Sequence, residues 1–301
     1  AFASDRADRA VAYAGSAIAR LGQRADRVEL GLLHDRLGRF LRVQADHEAS
    51  LDAHRRAVEL VPRGPARERA VALAGLAQAL MLDGQFGDAE RVAAEAIATA
   101  RAVGEPARAE EGHALCTLGI AKVWSDDPKA ALDLLASARG VAEDLGRVDD
   151  QFRAIANLTT ALGLLGRRGE AVHEATRAIE LARAVGLEAV YGNFLRGNIA
   201  DILFFAGRWQ ESRAMSRTAL EWSPGRPAAL DAEVSLAMVE IESAADQAAA
   251  RLLGRLLLVL ETLPDPQDVG PASRAAAPSA LWRGDVADAQ RAADRGWRLV
   301  R

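Results

Sequence analysis

The chain has 301 residues, half of them apolar but only 5% aromatic, and a formal net charge of −4 with acids and bases mixed throughout. That mixture leaves no basic block or stripe to meet a nucleic-acid backbone. No apolar run approaches the ~20 residues of a membrane-spanning helix. The densest, LLGRLLLVLETL at 252–263, is interrupted by Arg255 and reads as a buried helix. A single cysteine, Cys116, forbids an internal disulfide and fits a cytoplasmic protein. Alanine, leucine and arginine dominate, all strong helix formers, and strand-favouring residues never alternate for long, so the expected class is all-α.

In chain order, the first element is a helix over residues 4–22, SDRADRAVAYAGSAIARLG, with Ala10, Ala14 and Ala17 on one face. A clearer unit begins further on. GQFGDAERVAAEAIATARAVG (84–104) and GRRGEAVHEATRAIELARAVG (166–186) start 82 residues apart and agree at 11 of 21 positions. A separation of twice 41 predicts a copy between them, and SDDPKAALDLLASARGVAEDLG (125–146) supplies it. The same small-residue position then falls at Ala10, Ser50, Ala89, Ala130, Ala171 and Ser212, 39–41 residues apart, with a last copy at Ala289. Between 212 and 289 the repeat is poorly written, and either Ala248 or Leu252 fills the position.

Each unit reads as two helices, A then B. In the fourth unit Ile155, Leu158, Leu162 and Leu165 mark one face of helix A, and Ala171, Ala175, Ala178 and Ile179 one face of helix B. Glycine stands at the A-to-B turn in four units (Gly84, Gly166, Gly207, Gly284), where a left-handed cap is needed. Pro62, Gly104, Gly146, Gly186 and Pro224 close helix B. A hairpin of this kind cannot bury its apolar face alone and must stack on its neighbour, which predicts a right-handed α-solenoid or superhelix with a period of about 40 residues. The expected division is one repeat domain over 1–301: an orphan helix B at 1–22, then repeats at 25–62, 65–104, 105–146, 147–186, 187–224, 226–264 and 270–301.

These units resemble tetratricopeptide repeats. Leu37-Gly38, Leu41, Ser50, Ala57 and Pro62 follow that pattern in the first unit. Leu73, Leu76-Ala77, Leu80, Gly84, Phe86, Ala89 and Ala96 follow it in the second, and Ile199-Ala200, Leu203, Gly207, Trp209, Ser212, Ala219 and Pro224 in the fifth. The aromatic positions of the pattern are mostly leucine or alanine here. HEAT repeats share the period but lack the glycine turn and the alanine position. Long alanine-rich units of this sort are similar to the helical sensor region of large ATP-dependent LuxR-type transcriptional regulators, the maltose-regulon activator among them. That resemblance implies an ATPase before the array, a helix-turn-helix after it, and an inducer or regulatory protein as ligand. The chain opens on a helix B without its helix A, begins at Ala1 rather than Met, and stops just after a helix B, so the array is expected to be a fragment of a longer chain.

Signals for chemistry are weak. No Gly-Lys pair exists, so no P-loop is present. HEASL at 47–51 lacks the second histidine of a zinc protease. His47 and His54 lie seven apart and read as surface residues sooner than a metal site; His113 and Cys116 read as a buried thiol with a neighbour sooner than a catalytic pair. Asp126 and Asp127 sit at a helix start, where they cap it. The reading is a protein without catalytic residues, metal or cofactor, and not an enzyme.

What remains is the face that helices A present. Asn157 and Asn198 occupy one helix-A position 41 residues apart, which in tetratricopeptide proteins often carries an asparagine that holds a partner's backbone or carboxylate. By the same analogy their neighbours on that face are Arg39, Gln78, Lys122, Arg153, Phe194, Asp201 and Phe204. The structural alternative, in which both asparagines bond to the next helix, Arg153 is a solvated charge and Phe204 and Phe205 are core, stays open. The segment GNFLRGNIADILFFAGRWQ (192–210) carries four of the chain's 14 aromatics and is the best single contact surface. The partner expected is a protein or peptide segment, or a small-molecule inducer, bound by a sensor of an ATP-dependent regulator or by a stand-alone scaffold. Neither reading involves direct nucleic-acid binding or a membrane, and both allow a homo-oligomer.

Overall fold

The computed structural model describes residues 7–22, 26–44, 46–124, 127–222, 230–243, 246–262 and 266–298. Fifteen α-helices are found among them and no strand: α1 (Ala7–Leu21), α2 (Arg27–Val43), α3 (His47–Leu60), α4 (Arg67–Leu82), α5 (Phe86–Val103), α6 (Arg108–Val123), α7 (Pro128–Asp144), α8 (Val148–Leu164), α9 (Arg168–Ala184), α10 (Asn193–Phe205), α11 (Trp209–Trp222), α12 (Leu230–Glu242), α13 (Asp246–Thr262), α14 (Pro266–Trp282) and α15 (Val286–Arg298). None of the described helices is long and apolar enough to cross a membrane.

Sequence explains why these helices start and stop where they do. The side chains of Asp26, Asp46, Asp127 and Asp285 accept the first free backbone N–H groups of α2, α3, α7 and α15. Asp126 lies outside the described residues. At the A-to-B turns, Gly84, Gly166, Gly207 and Gly284 all take φ between 74° and 78°. The following N–H reaches back five residues, as from Gln85 to the Leu80 carbonyl and from Arg167 to that of Leu162. This is the Schellman closure, which needs a left-handed residue at that point and therefore favours glycine.

The chain forms two compact units, Ala1–Ala154 and Ile155–Arg301. In the first, α2 packs along α3, α4 along α5 and α6 along α7, while α2, α4 and α6 are neighbours in turn. In the second the same arrangement holds for α10 with α11, α12 with α13 and α14 with α15, and α10, α12 and α14 are neighbours. The core is built largely of alanine. Ala57, Ala89, Ala93, Ala171, Ala175 and Ala182 are completely buried, so backbones approach where a larger side chain would hold them apart.

The small position of helix B is where each pair crosses. Ala89, Ala171 and Ala289 are buried there. Two units have serine instead, and both serines donate to a helix-A carbonyl twelve residues back: Ser50 to Gly38 at 2.8 Å and Ser212 to Ala200 at 2.7 Å. A buried hydroxyl is thereby satisfied without widening the crossing. In the third unit the register differs by one residue from the sequence reading, because Ala131, not Ala130, is fully buried. Ala10 is only half-buried and Ala14 takes the covered position in α1. The Ala248 side chain and Pro224 lie outside what the structure describes. The leucine-rich helix α13 is amphipathic rather than enclosed: Leu253 and Leu256 are buried, whereas Leu257 and Leu258 are exposed.

Charges inside this core are paired. Glu240 on α12 is buried and receives Arg213 at 2.9 Å from α11. Buried Arg69 donates to the Val58 carbonyl at 2.6 Å and to Glu95 at 3.0 Å. At the π-helical turn Glu188–Gly192, Glu188 binds Arg183 at 2.9 Å and also buried Arg196. Arg183 and then Arg196 hold the Glu188 carboxyl down to about 2.

Two outcomes are expected. Ala171→Leu overpacks a closed crossing and should lower unfolding free energy by about 1–3 kcal/mol, read by urea denaturation. Glu188 has a folded pKa below its ordinary 4.5, so its stabilisation is complete above that value and is lost as pH falls toward about 2. The melting-temperature gap between the parent and Glu188→Gln should therefore be widest near neutrality and close in acid.

Candidate functional site

Helices α2, α4 and α6, with the residue that precedes α8, surround a cleft of about 290 Å³ in the first unit. Its lining includes Asp35, Arg36 and Arg39 from α2, Arg67 and Glu68 from α4, Glu110 and His113 from α6, and Arg147. No B helix contributes to this lining.

The floor is a buried contact between Asp35 and His54. Asp35 and His54 are 2% and 4% exposed, and Asp35 Oδ1 lies 3.1 Å from His54 Nδ1. Its other oxygen, Oδ2, lies 3.0 Å from Arg39 Nε. Two glycines make room for the pair. A Cβ on Gly75 would stand 2.1 Å from Asp35 Oδ1 and 2.9 Å from His54 Nδ1, and one on Gly38 would stand 2.6 Å from the His54 ring. Glycine within an α-helix costs about 1 kcal/mol relative to alanine; here it is required by what lies against it.

Above the floor, His113 Nε2 is 3.0 Å from Gln78 Oε1 and 3.5 Å from Arg153 Nη1. Arg153 Nη2 donates to the His113 carbonyl at 3.1 Å. Burial pushes the His113 imidazole well below its ordinary 6.5, and Arg153, Arg39, Arg147 and His54 push the same way. His113 is accordingly neutral near pH 7.

Of the residues read from the sequence, Arg39, Gln78 and Arg153 are thus gathered around His113. Arg153 is held by the α6 backbone and is not a solvated charge. Lys122 pairs with Glu90 of α5 at 2.6 Å. In the second unit Phe194 is 40% exposed, while Asn157 and Asn198 are half-buried. Asp201 binds Arg274 of α14 at 2.6 Å, and burial raises its carboxyl pKa against the opposing pull of Arg274. Phe204 is core: it packs with Val234, Met238 and Ala272 and stacks on Trp209. Phe205 stays exposed beneath the Arg274 guanidinium at 5.2 Å.

Sequence reading missed Asp35, His54 and His113 as members of one cluster. His47 meets Arg42 at 2.7 Å and His54 meets Asp35. Among the described residues no three His, Cys, Asp or Glu side chains are placed to hold a metal. Cys116 is buried as a free thiol. One usable signal was present, since glycines at 38 and 75 inside strong helical patterns mark a close approach.

No protein-family model matches the chain, and no curated protein matches it in sequence. Solved structures do match in fold. Aspartyl phosphate phosphatase F from Bacillus subtilis superposes with a TM-score of 0.67 at 12% identity, over 95% of this chain and 74% of that one. NprR in complex with its cognate peptide NprX gives 0.68 at 13% identity, over 92% and 79%. A signal transduction ATPase with numerous domains and a tetratricopeptide repeat sensor, from Pyrococcus horikoshii, gives 0.54 at 13% identity, over 90% of this chain and 44% of that one. The fold is a tetratricopeptide-like array of helical hairpins.

Gly75→Ala tests the floor. The added methyl cannot coexist with Asp35 and His54 in place, so the variant should lose about 1–3 kcal/mol in denaturant unfolding. The His54 C–H resonances should shift in the NMR spectrum as the pair is displaced.

Proposed function

We propose that this chain is a non-enzymatic sensor or interaction module that binds a protein or peptide segment on the exposed faces of its A helices. One observation carries the reading. Polar side chains from α2, α4 and α6, about 35–40 residues apart in sequence, converge with Arg147 on a single cleft, and the B helices pack behind them. Stability alone does not call for several helices to aim arginine, glutamate and histidine at one opening. The structure of NprR with a bound peptide supports the same use of the fold. The contact set in the first unit is Arg39, Gln78 and Arg153, with Arg36, His113 and Arg147 added and Lys122 at its margin. In the second unit it is Phe194, Asn198 and Asp201, with Asn157 nearby. The repeats assigned at 25–62, 65–104, 105–146, 147–186, 187–224, 226–264 and 270–301 are the units that carry these faces.

The finer reading is a cytoplasmic sensor region of an ATP-dependent LuxR-type regulator. Ligand would favour one arrangement of the helical array over another and so shift the activity of neighbouring domains. A tetratricopeptide repeat sensor joined to a signal transduction ATPase, as in the archaeal structure, supports that setting. A stand-alone scaffold is supported equally by the cleft. The gene on both sides of this segment distinguishes them: a phosphate-binding loop upstream and a helix-turn-helix downstream are expected for the regulator, and a gene that encodes neither overturns it.

Binding itself is tested by selecting a random-peptide display library on the immobilised chain. Peptides should be enriched, and their affinity should fall about tenfold or more, equivalent to about 1.4 kcal/mol, in Arg36→Glu/Arg147→Glu. Circular dichroism would establish that this variant remains helical. If no peptide is enriched, the binding reading fails.

A further inference from the structure

The cleft pairs its charges in an uneven way. Arg67 is bound to Glu110 and Arg39 to Asp35, and Arg147 binds Asp150 at the start of α8. In each pair the arginine is the exposed member: 55% against 11%, 39% against 3%, and 52% against 18%. Arg36 is exposed at the same opening, and Glu68 is half-buried there. A ligand entering the cleft therefore meets guanidinium groups, with the carboxylates underneath. His113 sits at this opening against Gln78 and Arg153.

We infer that this cleft binds an acidic group of the ligand, a carboxylate, and that His113 is its pH-dependent specificity residue, recruited as an imidazolium partner when the carboxylate arrives. The inference rests on the peptide-binding reading and names its ligand chemistry. Guanidinium is well suited to a carboxylate because its planar N–H groups can bind both oxygens at once. Arginines that already hold one carboxylate from below keep donors for a second from above.

The proton linkage follows from what surrounds His113. The groups around it are Asp35, Arg36 and Arg39 on α2, His54 on α3, and Arg67, Glu68 and Gln78 on α4. Its own helix adds Glu110, and Arg147, Asp150 and Arg153 come from α8 and the residue before it. With the ligand absent, burial and the arginines keep the ring neutral. A carboxylate beside it supplies the opposite charge, so the complex holds the proton more firmly than the free protein does. By linkage, affinity must then rise as pH falls through the range in which bound and free protein differ in protonation.

The test uses fluorescein-labelled hexaglutamate, with hexaglutamine as the uncharged control and citrate as a free polycarboxylate, titrated onto the whole chain between about pH 5.5 and pH 8. Hexaglutamate should bind several-fold more tightly at the acid end than at pH 8, because in that range the complex takes up a proton and the free protein does not. His113→Asn should flatten that profile, and Arg36→Glu should weaken binding at every pH. The inference is overturned if His113→Asn keeps the same slope, or if hexaglutamine binds as well as hexaglutamate. If display selection then yields neutral or basic peptides that still depend on Arg36, the peptide-binding reading stands and only the acidic specificity falls; if it yields none, both fall. Citrate that binds with the same dependence on His113 and Arg36, where hexaglutamate does not, leaves the carboxylate chemistry in place and makes a free polycarboxylate its source.

Discussion

The fold depends on how closely helix B can approach helix A. In six of the hairpins alanine or serine is buried at the small position of helix B: Ser50, Ala89, Ala131, Ala171, Ser212 and Ala289. Close backbones let each hairpin present a flat apolar side to the next. Because alanine offers little apolar area, no hairpin is self-sufficient, and burial accumulates only through neighbours. The serine variants show that the constraint is steric before it is chemical. Each hydroxyl is accommodated because a helix-A carbonyl stands within 2.8 Å to receive it.

The same close approach has a second effect at Gly38 and Gly75. There the removal of a side chain opens space for two ionisable groups instead of an alanine contact. A buried aspartate and histidine are costly to desolvate, and here their close approach and the Arg39 guanidinium beside Asp35 offset that cost. Their position beneath Arg39 fixes the base of a cleft to which several A helices contribute. Packing and binding are thus linked through the same two glycines: what lets α2, α3 and α4 interlock also sets the electrostatics of the opening above them.

The two units treat their exposed A faces differently. In the first, arginines stand over covered carboxylates around a histidine. In the second, Asp201 and Arg274 neutralise one another, and Phe205 lies against the guanidinium. The aromatic-rich segment 192–210 divides between roles, with Phe204 inside and Phe194 and Phe205 outside. A single residue step, about 100° around the helix, separates core from surface at 204–205, and composition alone does not reveal which side a given phenylalanine takes.

Much of the architecture was legible before any coordinates. Helix-forming composition, the 39–41-residue recurrence of a small residue and the turn glycines determined an all-α array of hairpins, because each is a local property: propensity, spacing and the sign of φ. Individual helix-A residues such as Arg39, Gln78 and Arg153 were legible as candidates for the same reason. Only tertiary structure decided that they meet at His113, that Asp35 and His54 pair beneath them, and that Ala131 rather than Ala130 is enclosed. Those facts depend on the rotation of each helix about its axis and on contacts between residues 19–40 positions apart. A shift of one residue turns a helical side chain by about 100°, which the sequence pattern tolerates and the packed core does not.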